Sequence, residues 1–139
     1  MSGRSHAPLI RLARFKVEEL QKQMAEIERV RASINDQIER LDESVPEEQA
    51  VASENRDGYL AYGSYARSVI QRKEKLRASL DEVDGQAEAL RGRLEDAFAE
   101  LKKFELLEER RLARVQESVR AAEQAELDDV AGRMRRAVH

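Results

Sequence analysis

The chain has 139 residues, of which 38% are charged and 4% aromatic, and its net charge is −3. That balance suits long helices sharing a narrow seam better than a globular core, because two seam residues per heptad need little apolar material. It argues against general nucleic-acid binding, which takes a basic excess, and the lack of cysteine excludes disulfides and thiolate metal sites.

The first predicted helix runs from about Pro8 to about Glu43, with Ser5 as its cap and Pro8 in the first turn. One seam position is filled by Ile10, Val17, Met24, Arg31, Ile38 and Val45, the other by Ala13, Leu20, Ile27, Ile34 and Leu41. Spacings alternating three and four keep such a stripe against a partner helix as two helices supercoil. The signals then change. Ser44 and Glu47 make a fresh capping box around Pro46, and Ser53-Glu54-Asn55-Arg56-Asp57-Gly58 is turn chemistry, so the reversal is placed within 44–58, with room for a short helical piece from Pro46 to Ala52.

A second helix is expected from about Tyr59 to about Arg136. Tyr59, Ala66, Lys73, Leu80, Ala87, Leu94 and Leu101 fall at one seam position, and Tyr62, Val69, Leu76, Val83, Leu90, Ala97 and Phe104 at the other. Gly85 and Gly92 weaken this helix without ending it. Past Phe104 the next heptad places are Glu108 and Arg111, which do not suit a seam. Apolar residues resume at Leu112, Val115, Val119 and Ala122, through eleven-residue steps that unwind a left-handed supercoil. The expected fold is an all-α antiparallel two-helix coiled-coil hairpin with a longer second helix, one domain over 1–139. Met24 and Ile27 should face the turns from Leu76 to Leu80. About half of the second helix should project beyond the first, and an uncovered apolar stripe calls for a partner or for self-association.

Charge is segregated. No acid precedes Glu18, whereas Arg4, Arg11, Arg14 and Lys16 do. From Val17 to Gly58 twelve acids face five bases, and from Tyr59 to Leu80 five bases face Glu74 alone. Side by side in a hairpin, these last two stretches favour interhelical pairing over a nucleic-acid patch. Arg133, Arg135 and Arg136 suit the negative end of a helix dipole, which the basic N-terminal segment cannot do. His6 and His139 sit at opposite termini with no acid or histidine at helical spacing, so neither is a metal ligand or a catalytic base. With no phosphate loop, nucleophile context or metal spacing, the sequence carries no sign of an enzyme or of a cofactor. No apolar run approaches the roughly 20 residues of a membrane span and no signal peptide is visible, so a soluble, cytoplasmic protein is expected. Tyr65 lies off the seam and is expected on the outer face, with Val69 one turn on.

Three segments together resemble the flagellar FliJ family of the type III export apparatus. The opening run Leu9-Ile10-Arg11-Leu12-Ala13-Arg14-Phe15-Lys16-Val17-Glu18-Glu19 is like the family's L-x-x-L-x-x-φ-[KR]-x-x-E pattern, φ being apolar. Tyr62-Gly63-Ser64-Tyr65 with Val69 looks like the aromatic cluster that opens the family's second helix. Lys102 to Arg111 and Ala122 to Ala131 resemble its K-x-x-E-x-L-x-E-[KR] and E-x-x-E-x-D-E-x-A segments, with Asp129 where the family usually has glutamate. Residues 46–58 match no family motif. The resemblance implies a stalk like the gamma subunit of rotary ATPases, monomeric alone. It would bind the hexameric export ATPase FliI, contact the export-gate protein FlhA and escort export chaperones, meeting the inner membrane at the flagellar base only through partners. On this chain, Tyr62, Tyr65 and Val69 would meet the gate. Arg11, Arg14, Arg110, Arg111 and Arg114, with Leu112 and Val115 as apolar support, would meet the ATPase. Two other readings fit the heptads: a self-assembling structural scaffold and a helical-hairpin holdase chaperone.

Overall fold

The computed structural model describes residues 3–54 and 56–138, without the side chains of Arg56 and Tyr59. The expectations for Asn55, for His139 and for the Tyr59 side chain therefore lie outside the described residues. Two helices, α1 (Ala7–Ala52) and α2 (Arg56–Val138), form an antiparallel helical hairpin, with no strand among the described residues. The Ser5 hydroxyl accepts the Ala7 N–H at 3.2 Å, so the predicted cap is in place. At the other end the Ser53 hydroxyl donates to the Ala50 carbonyl at 2.7 Å, and Ser53 and Glu54 make the turn with no residue at positive φ among those described.

The reversal is shorter and later than the sequence suggests, because α1 runs through Pro46 to Ala52 instead of ending near Glu43. A proline inside a helix loses one hydrogen bond and crowds the preceding turn. Packing outweighs that here: Val45 is half-buried and Ala52 fully buried, and the Ser44 hydroxyl donates to the Leu41 carbonyl at 2.7 Å in the disturbed turn. The extra length of α1 shifts the register. Ile27 shares a groove with Gln86, Leu90 and Arg93 instead of facing Leu76 to Leu80.

The chain divides into two compact units, Glu18–Glu95 and Met1–Val17 with Asp96–His139. In the first, Leu20, Ile34, Val69, Val83, Ala87 and Leu90 are buried at heptad positions. Two cations also sit on this seam, half-buried, and reach outward to the facing helix. Arg31 pairs with Asp84 at 2.8 Å, and Lys73 pairs with Asp42. Long stems packed along the seam with charged heads at its edge explain how both are accommodated.

In the second unit Ala13, Val17 and Ala97 are buried, with Ile10, Leu101 and Phe104 half-buried. Here the expected break in the seam does not occur. Glu108 and Arg111 occupy the next two heptad places, with side chains only 14% and 17% exposed, and Val115 takes the one after. Leu112, expected to resume the seam, is 53% exposed instead. Residues 116–138 are exposed apart from Gly132, so the bare stretch of α2 is shorter than the expected half.

Candidate functional site

A polar cluster closes the seam where α1 begins. Glu108 accepts the backbone N–H of His6 through Oε2, lies 3.0 Å from His6 Nδ1 through the same atom, and takes the Arg111 Nε–H on Oε1 at 2.8 Å. The chemistry follows from the start of α1. Its first turn contains no acid of its own, and its free N–H groups carry the positive end of the helix dipole. A carboxylate from α2 supplies the missing anion. Hydrogen bonding from Arg111, and then from the His6 N–H, holds the Glu108 carboxyl well below the ordinary range, at about 2 against a reference of 4.5. Three hydrogen-bonded groups on one carboxylate make a clamp.

Around this clamp the same unit gathers most of the residues expected to meet the ATPase. Arg11 and Arg14 are exposed on the stretch of α1 between the contacts of His6 with Glu108 and of Lys16 with Glu100, the latter at 3.7 Å. Arg110 and Arg114 are exposed and carry no ion pair among the described residues. Arg111 differs. Its guanidinium is held by Glu108 inside the seam, so it braces the hairpin and is not presented outward as the sequence suggested. Val115 is half-buried, and Leu112 beside it is exposed.

The tyrosine cluster is arranged otherwise than expected. Tyr65 does not stand on the outer face: it is half-buried, and its hydroxyl hydrogen-bonds the Ser44 hydroxyl on α1. The reason is positional. Tyr65 immediately precedes seam residue Ala66, as Ser44 precedes Val45, and in an antiparallel pair these flanking positions meet. Tyr65 lines an open groove of about 490 Å³ with Gln37, Arg40, Leu41, Ser44, Arg72, Lys75 and Leu76. Tyr62 and Val69 border a different groove of about 420 Å³, and Val69, only 3% exposed, belongs to the core. The three residues therefore do not form one surface.

Sequence reasoning missed the basic groove. Of the five bases from Tyr59 to Leu80, Lys73 alone forms an interhelical ion pair, with Asp42, among the described residues. Arg72 and Lys75 line the groove and have no ion pair among the described residues, while Arg40 is held by Asp36 one turn away at 2.5 Å. The charge excess was visible in the sequence. That it would gather on Tyr65's flank depended on the register.

A comparison with protein families matches residues 5–137 to the family described as "FliJ: Flagellar FliJ protein". The chain belongs to the FliJ family. No curated protein and no solved structure matches it. Membership makes it a component of the flagellar export apparatus, in a family whose role there is non-catalytic. For a FliJ-family chain, the features to be explained are surfaces: the cations around the clamp, the basic groove, and the exposed end of α2. Among the described residues no helix is long and apolar enough to cross a membrane, and no group of His, Asp and Glu is placed to hold a metal ion.

Proposed function

We propose that this protein is the stalk of a flagellar export ATPase, a cytoplasmic subunit at the flagellar base that binds the FliI hexamer, promotes its assembly and also contacts the gate protein FlhA. The family match over residues 5–137 carries the reading. Local chemistry supports its two contact surfaces. At the clamp end, Arg110 and Arg114 are exposed cations without ion pairs among the described residues, on a helix that continues bare past the start of α1. Solvated cations of this kind steer an acidic partner and respond to salt over roughly 8 Å at physiological ionic strength. In the other unit, the Tyr65 groove offers an apolar floor from Leu41 and Leu76 beneath Arg72 and Lys75. That groove replaces the Tyr62, Tyr65 and Val69 trio as the gate-binding surface. Escort of export chaperones fits the remaining exposed length of α2. The protein performs no catalysis of its own.

The test is a double dissociation with purified FliI and the soluble part of FlhA. Arg110→Glu with Arg114→Glu should abolish ATPase binding and leave gate binding intact, whereas Arg72→Glu with Lys75→Glu should do the reverse. Both variants should keep the wild-type circular dichroism. If neither pair alters either binding, the assignment fails.

A further inference from the structure

The well-packed seam stops short of the turn. Residues 46–54 and 57–63 form a tip in which Ala52 is the one fully buried apolar side chain among those described, while Val51 and Leu60 are 57% and 66% exposed. Next to the tip the helices are firmly joined. Val69 is 3% exposed, Lys73 pairs with Asp42, and the Tyr65 hydroxyl donates to that of Ser44. Both helices are weakened where the tip begins. Pro46 leaves the Asp42 carbonyl without its helical donor, and it lines one groove with Tyr62 and Ala66. Within that stretch of α2, Gly63 and Ser64 make a pair of the kind at which helices bend. Neither packing nor backbone requires a glycine at 63. Its φ is not positive, and an added methyl group would meet nothing within 4 Å.

A hinge at this level has a direction. A proline ring crowds the turn before it on its own side, so the helix opens there and bends toward the opposite flank. Ser44, two residues from Pro46, lies nearly opposite it on α1 and lines the basic groove with Gln37 and Arg40. Glu48 and Val51 continue that flank into the tip at helical spacing. The charges are complementary as well. Arg72 and Lys75 of the groove have no ion pair among the described residues, and neither do Glu47, Glu48, Glu54 and Asp57 of the tip.

We propose that the tip is an autoinhibitory lid, hinged at Pro46 and Gly63, that swings toward the basic groove and sets Glu48 against Arg72. The inference deepens the gate reading and rests on it: the closed lid engages, with this chain's own carboxylate, a cation that the gate partner needs. Few buried contacts are lost when the lid moves, so both positions are populated. Apparent affinity for the gate then scales with the fraction of chains whose lid is open.

The experiment uses the full-length chain, whose lack of cysteine allows nitroxide labels at chosen pairs of introduced cysteines. Ala50→Cys with Ala78→Cys spans the hinge, and Gln23→Cys with Gln86→Cys, on residues that share a groove of the seam, is the control. The hinge pair should give two distances and the control pair one. Glu48→Gln, or added salt, should deplete the shorter hinge distance, since an exposed ion pair is screened over roughly 8 Å. Pro46→Ala with Gly63→Ala, which leaves every charge in place, should abolish the shorter distance. Both variants should bind the soluble part of the gate protein at least about threefold more tightly than the wild type. A single hinge distance in the wild type overturns the lid. Two distances that neither Glu48→Gln nor salt alters overturn the contact of Glu48 with Arg72. Equal gate affinity in wild type and both variants overturns the autoinhibition. If no form of the chain binds the gate while the distances respond as described, the gate reading falls and the hinged lid stands.

Discussion

Glu108 shows how a residue that breaks a pattern can complete a structure. In the sequence, Glu108 and Arg111 look like the end of the seam, since neither is apolar. In the fold they remain on it, because the start of α1 needs an anion and a carboxylate there needs a cation. A one-dimensional pattern cannot reveal that need, since it depends on which residue of α2 lies opposite His6. The consequence is pH-dependent. A carboxyl whose pKa is lowered on folding adds stability above its unfolded value and loses it as the pH falls toward the folded one. Here that window runs from about 4.5 down to about 2. Thermal unfolding followed from about pH 6 to about pH 2 should show the wild type losing stability across this window. Glu108→Gln should begin less stable at neutral pH and lack that part of the decline. Arg111→Glu should destabilise the hairpin as well, so it cannot serve as a clean test of partner binding.

At the scale of the helices, the seams were legible almost in full. Every seam residue from Ile10 to Phe104 whose side chain is described is buried or half-buried, including the charged Arg31 and Lys73. Heptad spacing carries that information directly. The turn was harder to place. Pro46 and the capping box around it argued locally for an end to α1, but packing of Val45 and Ala52 in the same unit carries the helix on. Misplacing that end shifted the expected facing of Ile27 from Leu76 to Leu80 toward Gln86 and Leu90. Gly85 and Gly92 offer an independent check on α2. Neither has positive φ, and a methyl group added at either position meets nothing within 4 Å. Gly85→Ala and Gly92→Ala should therefore each stabilise the protein by about 0.5–1 kcal/mol, through a stiffer unfolded chain and better helix propensity. Chemical denaturation should show the midpoint rising with little change in slope.

For the whole molecule, the sequence revealed the family through the spacing of its opening segment, its aromatic cluster and its tail. The surfaces a partner would read depend instead on register and exposure. Arg11, Arg14, Arg110 and Arg111 look equivalent on paper, yet one of them is consumed by the clamp. Leu12 and Phe15 lie off the seam, so the heptad pattern does not mark them although the opening family pattern does, and their exposure is seen only in the structure. The central claim is that this hairpin serves flagellar export through exposed cations beside the clamp. The most direct measurement is swimming motility, with secretion of flagellar export substrates, in a strain of the source organism deleted for this protein and complemented from a plasmid. The wild-type chain should restore both. The Arg110→Glu, Arg114→Glu chain, expressed and folded to the same level, should restore neither. Unimpaired swimming in the deletion strain, or full rescue by the charge-reversed chain, would contradict the account.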